Sequence, residues 1–402
     1  MNVFGFLGLI RSIYGKKLPD LEKIQDKGLL AVKIAQHFAL RIDFLDERVC
    51  RHLSRLYRQT RPLPAEDVTT LLNLYMDKNW FEEIRDLAPT PFASASIGQV
   101  HHARLNDGTR VIVKIIKKDF TKKFLRDLRS LRRLFRIVLF FYPKLQKVFD
   151  PMGILEHIED YTIAELDLKN EIAGKETLEK LQNQYRDRYD LSRLCFPRFY
   201  PELSNENVLV AQLIEGETFD EMLDRGSLSY DSLLELFNIH GFYLFKPGIF
   251  HGDIHPGNIL YDKKKNLFFV DTGALSRTSE KIRQGLFLFF KYLSAYDYAQ
   301  CARTINGMAD KSIEGVKFNR FKDKFLDLYK DFADRSVSEV SLTKKMMDTI
   351  KLGVHSGMEF EKGMFSIIKS LMYLDGMVLR CNPDAVLIKD MRPFIQGFEK
   401  IL

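Results

Sequence analysis

The segment His251-Gly-Asp-Ile-His-Pro-Gly-Asn-Ile-Leu260 continues, after one turn, into Leu267-Phe-Phe-Val-Asp-Thr-Gly273. Two short apolar runs, Asn258–Tyr261 and Leu267–Val270, flank the lysine-rich stretch Asp262–Asn266, a pattern that predicts a β-hairpin. Three polar groups stand on its approaches: Asp253, Asn258 and Asp271. Phosphoryl transfer asks for such a set, an Asp to orient a hydroxyl or water and an Asn with an Asp to hold Mg²⁺ against phosphates. A carboxylate beside Leu-Phe-Phe-Val is costly unless something pairs with it, and a bound cation is such a partner.

Upstream, the period of the apolar residues changes twice. Residues 1–85 carry helical spacing, with Leu29, Leu30, Val32, Ala35, Phe38 and Ala39 in one run, and Arg61-Pro-Leu-Pro64 breaks that pattern. From Ala93 the pattern becomes β: Ile97–Arg104 and Arg110–Ile116 are predicted strands joined by Asn106-Asp107-Gly108, a strong hairpin signal. Lys114 sits inside the second strand, either as an edge-strand lysine that discourages aggregation or as a phosphate ligand. The preceding loop, Pro91-Phe-Ala-Ser-Ala-Ser-Ile-Gly-Gln-Val100, is either a plain strand entry or a phosphate loop. Ala93, Ser94, Ala95 and Ser96 are small enough for backbone amides to approach a nucleotide there. Asn207–Leu213 is a further strand, followed by Glu215-Gly216. Residues 280–402 carry helical patterns with few Pro or Gly.

One long helix is expected over about 152–182. On it Asp167 and Glu171 would share a face, with Glu165 pointing about 120° away from Glu171, so that one helix addresses two lysines. The plainer alternative is a solvated acidic face. His251 and His255 have the spacing of helical zinc ligands, but Gly252 stands where a metalloprotease has Glu, and Pro256-Gly257 prevents regular helix.

The 402 residues allow two or three compact units, and 46% hydrophobic with 29% charged residues is ordinary for a globular protein. A formal charge of +7 suits an anionic partner. Lys117–Arg136 with its phenylalanines, and the apolar-then-basic Asn2–Lys17, are candidates for an anionic membrane surface, the first equally for an ordinary amphipathic helix. No nucleic-acid motif accompanies the charge. Cys50, Cys195, Cys301 and Cys381 form no C-x-x-C pair, which fits a reducing compartment. No run reaches the ~18 apolar residues of a membrane span, and Val3–Ile10 lacks the basic flank and cleavage site of a secretory signal. A cytoplasmic protein, peripheral on the inner face of the membrane, is expected.

Taken together these motifs resemble the UbiB/AarF family of atypical kinases, linked to quinone-lipid biology, over Lys33 to about Pro383. Lys33-Ile-Ala-Gln36 and Arg41-Ile-Asp43 resemble the K-x-G-Q signature and its R-x-D continuation. Ala93–His101 is similar to the alanine-rich loop, Glu165-Leu-Asp167 with Glu171 to the E-x-D element, and Leu371–Pro383 to the C-terminal helix. The chain departs from the pattern at Ala35, Ser94, Ile254 and Thr272, the last standing where D-F-G has Phe. The resemblance implies an α+β, two-lobed protein-kinase-like fold: a helical extension over 1–88, an N-lobe over 89–215 and a C-lobe over 216–402. It implies Mg²⁺ with ATP or ADP, Asp253 orienting an acceptor, and Asn258 and Asp271 on the metal. Lys114 would hold the α/β phosphates and pair with Glu171, Lys33 would pair with Glu165, and Glu215 with its neighbours would form the hinge under adenine through backbone atoms. ATP hydrolysis or lipid-related work, with a quinone-precursor lipid as partner, is expected more than protein phosphorylation. Two rivals stand beside it, an aminoglycoside- or choline-kinase-like phosphotransferase and a nucleotide-gated lipid scaffold.

Overall fold

Alternation of apolar residues along Val111-Ile-Val-Lys-Ile-Ile116 sends successive side chains to opposite faces of a strand, and the fold of the first half of the chain is built around that strand. The computed structural model describes residues 3–39, 45–57, 60–117, 121–141, 151–361 and 364–402. The chain divides into two compact units, residues 1–173 with 197–213, and residues 174–196 with 214–402. The class is α+β.

In the first unit a five-stranded sheet runs β1 (Ile84–Arg85), β3 (Gly98–Leu105), β4 (Arg110–Ile116) and β6 (Val208–Gln212), with β2 (Ala93–Ser94) also on β3. The β3–β4 turn closes as its sequence demands: Gly108 takes φ +85, and the Thr109 N–H donates to the Asp107 carboxylate at 2.8 Å. Val111, Val113 and Ile115 of β4 join Val208 and Val210 of β6 in a core closed by Val68, Leu72 and Trp80. The opposite face, with Ile112, Ile116, Leu209 and Ala211, packs on a larger cluster from the helices Val3–Ile13, Leu29–Ala39, Thr121–Phe141 and Pro151–Glu165. Lys114 alternates onto that second face. Since β4 is paired on both sides, by β3 and by β6, Lys114 is not an edge lysine.

The single helix expected over 152–182 is two. Pro151–Glu165 ends, and Lys169–Tyr185 begins after a break at Leu166–Leu168. Tertiary hydrogen bonding overrides helical propensity at this point. The Leu168 N–H goes to the carbonyl of Glu206 at 2.9 Å, and Asn170 Nδ2 caps the Ala164 carbonyl at 2.9 Å. The Asp167 carboxylate accepts from the Lys169 N–H at 3.0 Å. The shared-face argument for Asp167 and Glu171 therefore fails. The expected R-x-D continuation, Arg41–Asp43, lies outside the described residues.

In the second unit a four-stranded sheet runs β5 (Leu194–Cys195), β10 (Leu267–Phe269), β9 (Ile259–Asp262) and β7 (Gly216–Thr218), and β8 (Ile249–His251) pairs with β11 (Leu275–Arg277). The β9–β10 hairpin has the register Phe269↔Ile259, Phe268↔Leu260, Leu267↔Tyr261. Its turn is fixed by the Asp262 carboxylate, which accepts from the N–H groups of Lys264 and Asn266 at 2.8 Å each. The rest is helical, as expected. Tyr230–Phe245, Glu280–Ser294 and Met364–Cys381 supply much of the buried apolar surface, including Phe242, Phe289 and Val378. No helix among the described residues is long and apolar enough to cross a membrane.

Candidate active site

The first unit gathers two lysine–carboxylate pairs. Every residue of the helix Leu29–Ala39 is buried, so Lys33 leaves water entirely. Its ammonium pairs with Glu165 and lies 5.1 Å from the centroid of the Tyr161 ring. Gln36, one turn on, donates through Nε2 to the Leu56 carbonyl at 2.9 Å and so fastens the helix to its neighbour. Ala35, where the family signature has Gly, is fully buried in the same helix. Lys114 pairs with Glu171 in the first turn of the helix Lys169–Tyr185, and Glu171 is the more buried partner. Both lysine–carboxylate pairs implied by the resemblance are thus present, whereas Asp167 of the E-x-D element caps a turn.

The Ala/Ser loop is stitched down by its neighbours. Ala93 and Ser94 form β2, and the Ala95 N–H closes on the Gly98 carbonyl at 2.9 Å, with Ser96 in the bend between. Ser94 Oγ donates to the Thr60 carbonyl at 3.0 Å, and the Thr60 hydroxyl donates to the Ala95 carbonyl. Lys117 supports Thr60 from below, donating to Thr60 Oγ1 at 2.8 Å and to the Arg61 carbonyl at 2.9 Å. Burial pushes the Lys117 ammonium down to about 8. Lys117 therefore does not belong to the solvated basic face that starts at Lys122, a correction to the Lys117–Arg136 stretch. Gln99 and His101 act as a clamp. Gln99 Oε1 accepts from the Leu63 N–H at 2.8 Å, and Gln99 Nε2 meets His101 Nε2 at 2.8 Å. His101 Nδ1 lies 2.7 Å from the Ala88 carbonyl, so that nitrogen carries the proton. Burial holds the His101 pKa below its ordinary value.

The second unit holds the hairpin residues. His251 is buried at the end of β8, and its Nδ1 accepts from the Asp253 N–H at 3.1 Å, which pins the loop at the carboxylate. Burial lowers the His251 pKa first of all. The carboxylates of Asp253 and Asp271 act against that shift and Lys369 acts with it. Asn258 donates through Nδ2 to the Asp253 carbonyl at 3.0 Å, so its Oδ1 is the atom presented away from that bond. The Val270 N–H donates to the Asn258 carbonyl at 3.1 Å, which places Asp271 one residue beyond a direct backbone link to Asn258. An amide oxygen and a carboxylate are hard donors. Mg²⁺ characteristically takes one or two such protein ligands and fills the remainder with water and phosphate, so the residues fit that ion. His255 accepts from the Gly257 N–H at 3.1 Å and stacks edge-on to Tyr373 with centroids 5.3 Å apart, a packing role. Glu215 is exposed in the connector between β6 and β7.

Two features of this half were not singled out in the sequence. A Cβ built on Gly174 would lie 2.0 Å from the Thr272 carbonyl oxygen, so the helix Lys169–Tyr185 packs directly on the backbone that follows Asp271. Thr272 is fully buried there. The other feature is Lys369, buried on the helix Met364–Cys381, whose Nζ lies 2.9 Å from Asp253 Oδ1.

A family model described as the ABC1 atypical kinase-like domain matches residues 55–305. The chain belongs to this UbiB/AarF family of atypical kinases. Its relatives include an uncharacterised protein from the hydrogenase 1 5′ region of Clostridium pasteurianum, 24% identical over 98% of this chain and 73% of that one. The probable protein kinase UbiB of Sodalis glossinidius is 24% identical over 94% and 69%. An uncharacterised chloroplastic aarF domain-containing protein kinase of Arabidopsis thaliana is 22% identical over 96% and 75%. Among solved structures, the complex of Rv3197 with erythromycin from Mycobacterium tuberculosis superposes with a TM-score of 0.51 at 19% identity, covering 95% of each chain. That similarity shows the kinase-like fold of this UbiB/AarF member.

Proposed function

We propose that this UbiB-type atypical kinase binds Mg²⁺ with ATP or ADP and transfers a phosphoryl group to water or a small lipid-related acceptor, within quinone-lipid biosynthesis or membrane-lipid homeostasis. The observation that carries the reading is the tie between the two residues: the Asn258 carbonyl accepts from the Val270 N–H, one residue before Asp271, while its Nδ2 is committed to the Asp253 carbonyl and leaves Oδ1 as the atom turned away from that bond. Asp253 would orient the acceptor hydroxyl, and Asn258 and Asp271 would hold the metal. Lys114, kept in place by Glu171 on a strand paired on both sides, would meet the α/β phosphates. Ala93–Ser96 would cover the nucleotide and the Glu215 segment would contact adenine through backbone atoms. When bound, Mg²⁺ would neutralise charge on the phosphates. Lys33 with Glu165 would tune the site from the helical extension.

Action at a membrane surface is supported by exposed apolar residues on two helices of the first unit. Phe4 and Leu7 project from Val3–Ile13, and Ile137, Phe140 and Phe141 from the end of Thr121–Phe141. The helices meet where Phe6 packs edge-on to Phe135 at 5.3 Å. Lys122, Lys123, Arg126, Arg129, Arg133 and Arg136 are exposed along the second helix, which suits anionic lipid.

The test is thermal unfolding of the full chain with nucleotide, with and without Mg²⁺. A ligand at 100 times its Kd stabilises by about 2.7 kcal/mol. Asp271→Asn should erase the magnesium-dependent part of that gain, and an unchanged shift in the variant would contradict the assignment. Turnover with and without anionic liposomes and a quinone-precursor-like phenol then separates hydrolysis from transfer.

A further inference from the structure

We propose that Lys369 is a catalytic residue: its ammonium holds Asp253 before the reaction and hydrogen-bonds an oxygen of the phosphoryl group as that group transfers. The assignment rests on the nucleotide reading above. Lys369 and Asp253 are both nearly inaccessible, 7% and 11% exposed at the side chain, with Nζ 2.9 Å from Oδ1. Burying a lysine and a carboxylate together rarely stabilises a fold relative to apolar residues of the same size. A chain that places the lysine among Ile367, Ile368, Ser370 and Leu371, all buried, is therefore using it for something else.

Phosphoryl transfer supplies the use. The transferring group carries charge on three equatorial oxygens, and catalysis consists largely of placing cations and N–H donors against them. The loop His251–Leu260 contains neither Lys nor Arg. Among the described residues the cation paired with its Asp comes instead from the helix Met364–Cys381, more than a hundred residues later in the chain. Tyr373, one turn on, holds it there: the ammonium lies 5.8 Å from that ring's centroid, and the ring also packs on His255 of the loop. The same ring thus touches both the lysine and the loop.

The step balances without a further reactant. The acceptor oxygen forms a bond to the γ-phosphorus as the bond from that phosphorus to the β-bridging oxygen breaks, and ADP leaves with the bonding pair. The acceptor proton passes to the Asp253 carboxylate. As that carboxylate is neutralised its hold on Lys369 weakens, at the moment when charge on the phosphoryl oxygens needs a donor. Lys369 exchanges one anionic partner for another and transfers no proton.

The experiment compares wild type, Lys369→Gln and Lys369→Arg as full-length chains. Affinity for Mg-ADP is measured alone and with aluminium fluoride, which mimics the transferring phosphoryl group, and turnover of Mg-ATP is followed. We expect Lys369→Gln to bind Mg-ADP as wild type does, to lose the tightening given by fluoride, and to lower kcat by about 10²–10³-fold at constant KM. Lys369→Arg should recover part of both, and added ethylammonium part of the Gln variant's kcat. A Gln variant that keeps the fluoride tightening and wild-type kcat overturns the proposal. A rise in turnover overturns it too, since the pair would then only restrain Asp253. Should the Gln variant not fold, Lys369→Met, which matches the length of the stem, carries the same two measurements. A wild type that binds no Mg-nucleotide sinks the functional reading itself, and with it this assignment, before any variant is compared.

Discussion

Adding one methyl group at Gly174 tests how the loop after Asp271 is held. In the interior of an exposed helix Gly→Ala stabilises by about 0.5–1 kcal/mol, because alanine loses less backbone freedom on folding. Gly376, in the helix Met364–Cys381, is such a site, since a Cβ there meets nothing within 4 Å. At Gly174 the same atom would lie 2.0 Å from the Thr272 oxygen and 2.9 Å from its carbonyl carbon, and ordinary contact begins near 3.4 Å. The carbonyl must retreat by about 1.4 Å, an overpacking that costs about 1–3 kcal/mol. After the propensity gain, Gly174→Ala should be less stable than Gly376→Ala by about 1–3 kcal/mol in urea unfolding. Thr272 follows Asp271 directly, and displaced support of a ligand typically costs about 10–100-fold in metal affinity. Magnesium-dependent nucleotide affinity, read by titration calorimetry, should therefore fall by about tenfold or more in Gly174→Ala and not in Gly376→Ala. Equal stability of the two variants, with equal nucleotide affinity, would refute the claim that the helix backbone positions the loop.

Lys33→Ala should leave the chain folded but less stable by about 1–3 kcal/mol, and a double-mutant cycle with Glu165→Gln should return a coupling of similar size; additive losses in urea unfolding would mean that the pair is incidental. Turnover of Lys33→Ala should also differ from wild type, and identical kinetics would remove the regulatory role of the extension. His240 is fully buried and burial depresses it to about 3. Its neutral form thus contributes stability that is present above the unfolded value of 6.5 and lost as pH falls towards 3, by up to about 1.4 kcal/mol per pH unit. Urea midpoints taken between pH 7.5 and 4.5 should fall less steeply in His240→Leu than in wild type, and parallel curves would sink the attribution. Phe140→Ser with Phe141→Ser should weaken co-sedimentation with anionic liposomes, by up to about 1.5–3 kcal/mol for each ring that enters the bilayer, while circular dichroism stays unchanged; undiminished binding would exclude this tip as the contact.

What was legible in the sequence is what depends on neighbours in the chain. The β9–β10 hairpin follows from two apolar runs and the side-chain chemistry of Asp262, and the β3–β4 turn from Asn106-Asp107-Gly108. The break at Leu166–Leu168 was not legible, because the Leu168 N–H is taken by Glu206, a residue from another part of the fold. Local propensity through that stretch is helical, and only a tertiary partner ends the helix. Lys117 was misread for the same reason: it begins a basic run in sequence, but Thr60 and Arg61 draw it into the core. Lys369 did carry a signal, a lone lysine within Ile367-Ile-Lys-Ser-Leu371, where a helix that needs an apolar face gains nothing from a cation. Nothing in its surroundings names Asp253 as the partner.

Three lysine–carboxylate pairs among the described residues have both side chains no more than a quarter exposed: Lys33–Glu165, Lys114–Glu171 and Lys369–Asp253. Pairs such as Lys330–Asp327 and Lys311–Glu359 lie open to solvent and contribute little. If the buried three served stability, apolar residues of equal volume would serve better, since desolvation consumes most of the Coulombic gain. The stability of the first unit has another source in its two apolar clusters, one around Leu30, Phe38 and Leu128 and one around Val111, Val113 and Trp80. What a buried pair provides that an apolar contact does not is a charge held at a fixed place without the reorganisation that water would impose. The resemblance implies a phosphate contact for Lys114 and a regulatory place for Lys33 with Glu165, and Lys369 lies directly against Asp253 of the hairpin segment. Replacing Lys114–Glu171 or Lys369–Asp253 by a well-packed apolar pair should therefore preserve or raise stability while abolishing turnover, and the same change at Lys33–Glu165 should preserve stability while altering turnover; wild-type kinetics in an apolar replacement at any of the three would show that its charges serve the fold alone.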